Sequence, residues 1–153
     1  MTTSSSHILN TIAVTTPPDL VRLWAALMGG GGFGRRSLWL VFLHDDGRPA
    51  PAVIPIDDIP LTPSAADVDS FRHFFDHLDG YGTPVLLLSR PGSCAVQDHD
   101  RQWARALASC APRWPVHLAA EDDFGRCVVT PLPGPPDSGV VAPPGESGSS
   151  GRC

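Results

Sequence analysis

The sequence predicts a mixed α/β (α+β) fold: a central mixed sheet with helices packed on it, in the order α-β-β-α-β-α-β-β. Three observations predict it. Three segments carry apolar residues at helical spacing, each bounded by capping residues or by Gly and Pro. Runs rich in Val, Leu and Ile, set off by turn residues, separate and follow them. Finally, 153 residues with 42% hydrophobic content suit one domain with a real core, flanked by tails.

Residues 1–15 read as a polar leader with a small apolar patch of Ile8, Leu9, Ile12 and Val14, either an edge strand or disordered. The globular domain is placed at 16–130. Its first helix starts after Thr16, with prolines in its first turn. Leu20, Leu23, Trp24 and Leu27 follow at i, i+3, i+4 and i+7, and glycines from Gly29 end it. Leu38 to Leu43 is a central strand, apolar without alternation. Asp45-Asp46-Gly47 supplies a hairpin turn, and Ala52 to Ile56 the partner strand, kept near an edge by its prolines.

Ser64 and Asp67 open the second helix as a capping box, with Val68, Phe71, Phe74, Phe75 and Leu78 on one face. Val85 to Leu88 is a short buried strand. Asp98 caps a third helix through about Ala111, with Trp103, Leu107 and Cys110 inward. "WPVHLAA" and "GRCVVT" are two more strands around an Asp122-to-Gly125 turn. Residues 131–153, rich in Pro, Gly and Ser, hold too little apolar surface to offset the entropy of ordering and read as a disordered tail.

Composition narrows the function classes. The net charge is -5, and all eleven basic residues are arginine. No basic cluster fits a phosphate backbone, so nucleic acid is not an expected partner. No run reaches the ~18 apolar residues of a membrane span, and no secretory signal is visible, so a cytoplasmic protein is expected. The lysine-free, Ala/Gly/Pro/Arg-rich composition points to a high-GC, actinobacterial source. Cys94, Cys110, Cys127 and Cys153 form no CxxC pair and are expected as reduced thiols.

Several patterns imitate functional motifs. The run "GGGGFGRR" follows a helix and precedes a strand, the reverse of a phosphate loop, and lacks its Lys. It reads as a connector in which Arg35 and Arg36 can grip an anion weakly. His73 and His77 sit four apart on a helix, opposite its phenylalanines, without the glutamate of a zincin; they read as a solvated face. His44 lies beside Asp45 and Asp46, where turn chemistry accounts for the group. Cys94 precedes a helix N-terminus, which lowers a thiol pKa, and Ser93 adjoins it without a GxSxG elbow. His117 is a lone strand histidine.

The loop "SRPGSCAVQDHD", between a buried strand and a capped helix, carries a family resemblance. Residues ~36–120 resemble the JAB/MPN (JAMM) metalloprotease-like superfamily, nearest its RadC-like branch. That family runs hairpin, helix, strand, a His-x-His-Pro-Ser-Gly loop, Ser-x-x-Asp opening a helix, then a strand with Asp-His-Leu. Here Pro91 falls on the family proline, Gly92 and Ser93 on its small residues, Asp100 on its aspartate and His117-Leu118 on its His-Leu pair. The loop is one residue shorter.

The resemblance also implies what is missing. The two metal-binding histidine positions hold Leu88 and Arg90, the serine position holds Gln97, and "AVIPIDD" offers Asp57 and Asp58 but no glutamate. A catalytic zinc site needs about three protein ligands. The expectation is therefore a non-catalytic domain that binds or assembles with a protein partner, with no metal and no cofactor. Arg90 would meet a carboxylate or phosphate on that partner and pair with Asp100. Gln97, Ser93, Cys94 and His117 complete the candidate binding residues. The alternative is a hydrolase using Cys94 or Ser93 as nucleophile, or an atypical metal site.

Overall fold

The computed structural model describes residues 12–29 and 33–133. It has helix α1 (Pro17–Met28), strands β1 (Ser37–Leu43) and β2 (Pro49–Asp57), helix α2 (Ala65–His77) and a 3-10 turn (Asp79–Tyr81). Strand β3 (Thr83–Ser93), helix α3 (Asp98–Cys110) and strands β4 (His117–Glu121) and β5 (Cys127–Pro131) follow. The predicted α/β class and element order are those observed. The sheet order is β2-β1-β3-β4-β5. Only β3 and β4 run parallel, joined through α3; the other neighbours are antiparallel.

Strand periodicity divides the core in two. Leu38, Leu40 and Phe42 of β1, Leu86 and Leu88 of β3, and Leu118 and Ala120 of β4 join Phe75, Trp103 and Leu107 from α2 and α3. Val41, Leu43, Val85, Leu87 and Ala119 instead meet Leu20, Leu23 and Trp24 of α1. The helices therefore cover both faces, which is why β1 and β3 are apolar without alternation. Trp103 sits between α2 and the segment before it: its ring packs edge-on against Phe71, and its Nε1–H reaches the Pro60 and Leu61 carbonyls at 3.0 and 3.1 Å.

Boundaries shift from expectation in several places. Strand β3 runs from Thr83 to Ser93, well past Leu88, so Arg90 is a strand residue. The N-cap of α3 is Gln97 rather than Asp98. Strand β2 extends to both sides of Ala52–Ile56, and its ladder with β1 slips between Val41 and Leu43, where β2 passes Pro51. Leu132, expected in the tail, is buried, and its N–H donates to the Val116 carbonyl.

Val14, expected in the leader, is also core, tied by its N–H to the Gly47 carbonyl at 2.8 Å. Gly47 has φ +86°, and a Cβ there would lie 2.3 Å from the Val14 carbonyl oxygen, so the hairpin turn requires glycine. Ile8, Leu9 and the Pro/Gly/Ser-rich segment from 134 onward lie outside the described residues. Among the described residues no helix is long and apolar enough to cross a membrane.

Candidate functional site

Strand β3 carries the chain to the end of the sheet where α3 begins. Arg90 shares the parity of Leu86 and Leu88, so it emerges on the α3 side. Asp100 is the third residue of α3, where a carboxylate caps the helix and opposes its dipole. Its Oδ2 accepts the Gln97 backbone N–H at 2.8 Å. Both side chains are buried, Arg90 at 3% exposure and Asp100 at 0%.

The pair is bidentate. Arg90 Nε donates to Asp100 Oδ1 at 2.9 Å, and Nη2 donates to Oδ2 at 2.7 Å. The remaining donors meet backbone carbonyls: Nη1 reaches Pro91 and Ser93 at 3.2 and 2.6 Å, and Nη2 reaches Ala95 at 3.0 Å. A guanidinium has five N–H donors. All five of Arg90 are engaged within its own loop and helix. Burial alone would raise the Asp100 pKa. The hydrogen bonds from Arg90 and Gln97 and the charge of Arg90 outweigh it and hold the carboxyl below its ordinary value.

The expected Arg90–Asp100 pair is therefore present, but Arg90 has no donor left for a carboxylate or phosphate from outside. Its geometry is that of a loop staple. Ser93 is exposed and feeds the same staple: its carbonyl accepts Arg90, and its hydroxyl accepts the Ala95 N–H at 3.1 Å. No histidine or carboxylate among the described residues bonds the Ser93 hydroxyl to act as a base. Gln97 is exposed, its amide donating to the Ala95 carbonyl at 3.2 Å.

Cys94 is buried at 3% exposure and disulfide-bonded, against the expectation of a reduced thiol, so it offers no thiolate as a nucleophile. Cys110 and Cys127 are free. Arg90 and Ser93 at the end of β3, Cys94 and Gln97 in the connection, and Asp100 in the first turn of α3 thus lie at one strand-to-helix junction.

His117 does not join them. It shares the parity of Ala119, pairs in register with Leu87 and lies on the α1 side of the sheet. It is fully buried, and neither ring nitrogen has a hydrogen-bond partner. Burial pulls its pKa down to about 4, and the Pro115 backbone opposes this without reversing it. The ring is neutral at physiological pH.

His73 and His77 are exposed as expected, their rings 4.4 Å apart, with His77 Nδ1 3.0 Å from the His73 carbonyl. His44 is an exposed turn residue. Among the described residues no three His, Cys, Asp or Glu side chains converge as a metal-holding group.

Two further residues meet this site: His99, next to Asp100 in the chain, and Arg36, which sequence spacing does not place there. Register Ser37↔Ser89 between β1 and β3 brings Arg36 beside the end of β3. Arg36 Nη1 lies 4.0 Å from Asp100 Oδ1 and 3.3 Å from His99 Nδ1; that nitrogen is also 3.3 Å from Asp100 Oδ1. Next to them Ser37 donates to Asp57 at 2.8 Å, and Arg35 lies 3.8 Å from Asp57 and 3.4 Å from Asp58. Burial and the charge of Arg90 lower the Arg36 pKa, partly offset by Asp100, from a value so high that Arg36 stays charged. No protein-family model, curated protein or solved structure matches this chain.

Proposed function

We propose that this chain is a non-catalytic domain of the JAB/MPN-like kind, RadC-like in its loop, which binds or assembles with a protein partner in the cytoplasm. One observation carries the reading. At the position where the resemblance expects a metal-binding histidine stands Arg90, and its guanidinium takes the carboxylate that the resemblance assigns to the metal. A fixed positive charge on Asp100 opposes a divalent cation at the same place. Leu88, at the other histidine position, has no lone pair to give and is buried in the core. The loop retains its site-like location while its acceptors serve the fold.

The test has two parts. Untagged full-length protein, produced with zinc in the medium and dialysed, should hold far less than one zinc per chain by atomic spectrometry. One zinc per chain would overturn the non-catalytic reading. Tagged protein recovered from its own host should bring down one polypeptide in fixed ratio through size-exclusion chromatography; a chain that always elutes alone would overturn the binding role.

A further inference from the structure

We infer that Arg36, not Arg90, is the docking point for a carboxylate on the partner, a reading that rests on the protein-binding role proposed above. The contrast between the two arginines supports it. Arg90 has every donor engaged. Arg36, with a side chain only 19% exposed, has one hydrogen-bonding neighbour among the described residues, His99 Nδ1. That nitrogen stands equally close to Asp100 and can serve only one of them. Whichever it serves, at least four of the five Arg36 N–H groups are without a hydrogen-bond partner among the described residues; the ion pair with Asp100, at 4.0 Å, is too long to be one.

Charge points the same way. Arg36 and Arg90 flank a single carboxylate, Asp100, which leaves one positive charge over. The neighbouring acids do not come within 4.0 Å of the Arg36 guanidinium: Asp57 and Asp58 share Arg35, with Ser37 also donating to Asp57, and Asp98 pairs with Arg101. A guanidinium fork matches a planar carboxylate in shape, and one carboxylate matches the surplus in charge. A phosphate dianion would bring a second negative charge beside Asp57 and Asp58, which already share one arginine. The occupant assigned here is therefore an acidic side chain on a protein segment, approaching where β1 begins and β3 ends.

The test titrates the isotopically labelled full chain with acetate, with inorganic phosphate, and with a short glutamate-containing peptide and its glutamine counterpart. NMR of the Arg36 Nε–H and the His99 ring reads the result. Acetate and the glutamate peptide should shift Arg36 saturably, and the glutamine peptide should not. Arg36→Gln should weaken the peptide affinity by about tenfold or more, with an otherwise unchanged amide fingerprint, and Arg36→Lys should fall between. No saturable shift, equal binding of both peptides, or unchanged affinity in Arg36→Gln would overturn the proposal. Tighter binding of phosphate than of the peptide would overturn the carboxylate class. A partner that copurifies equally well with Arg36→Gln would remove Arg36 and leave the binding role standing; stoichiometric zinc would remove the non-catalytic reading without altering the titration.

Discussion

His117 should make this fold acid-sensitive in a defined window. Its ring is fully buried on the α1 side of the sheet, with both nitrogens unpartnered, and its pKa is held down to about 4 from an ordinary 6.5. The native state therefore resists the proton that the unfolded chain accepts. Stability from this residue is intact above the unfolded pKa, falls as pH drops from about 6.5 towards 4, and levels below that.

A shift of this size corresponds to about 3 kcal/mol in total, of which most is lost by pH ~4.5. Asp100 adds little in this window: its pKa is lowered, so its contribution starts to fall only as the unfolded carboxyl protonates near its ordinary value, and by pH ~4.5 only about a tenth of a kcal/mol is lost. Urea unfolding near pH ~7.5 and pH ~4.5 should show wild type losing roughly 2 to 3 kcal/mol between them. His117→Leu should remove most of that difference and, by deleting two orphaned polar atoms, leave stability at the higher pH equal or greater. An equal loss in wild type and His117→Leu would refute the reasoning.

Two further outcomes follow from the staple and the hairpin. Asp100→Asn should cost about 3 to 5 kcal/mol, because it leaves Arg90 charged and buried, and Arg90→Met with Asp100→Asn should cost less than the two singles added; additive losses in urea unfolding would show that the pair does not act as a unit. Gly47→Ala, at φ +86° with a Cβ 2.3 Å from the Val14 carbonyl, should cost on the order of 1 to 3 kcal/mol, and a wild-type melting temperature would argue against that contact.

The elements were legible because each rests on local chemistry. The Ser64–Asp67 cap, the turn at Gly47 and the helical faces of α1, α2 and α3 are all written within about ten residues. The Arg90–Asp100 pair was legible for the same reason, with ten residues between partners and a capping position to hold the acid. What escaped is what depends on register. Arg36 meets His99 across 63 residues, only because Ser37 lies opposite Ser89. A strand prediction ending at Leu88 hides this, since it places Arg90 in a loop and leaves β1 nothing to align with at that height. His117 escaped differently. "PVHLAA" gives its alternation, but which face α1 covers is a matter of topology, and that decides whether the ring meets Asp100 or the other core.

The junction from the end of β3 into α3 is built around a cation, and this decides where function is to be sought. Three carbonyls, of Pro91, Ser93 and Ala95, converge with both oxygens of Asp100 on one guanidinium. Gly92, at φ +96°, turns the chain so that this convergence is possible. Five acceptors meet five donors, so the arrangement is closed. Removing Arg90 would not open a binding site. It would leave three carbonyls and a buried carboxylate facing one another without a donor, and the loop would have to reorganise to hydrate them. A partner lost with Arg90→Ala would therefore report on loop collapse rather than on contact. Arg36 carries the informative substitution: it stands at the rim of the same cluster, feels the same carboxylate at 4.0 Å, and supports none of the loop's backbone.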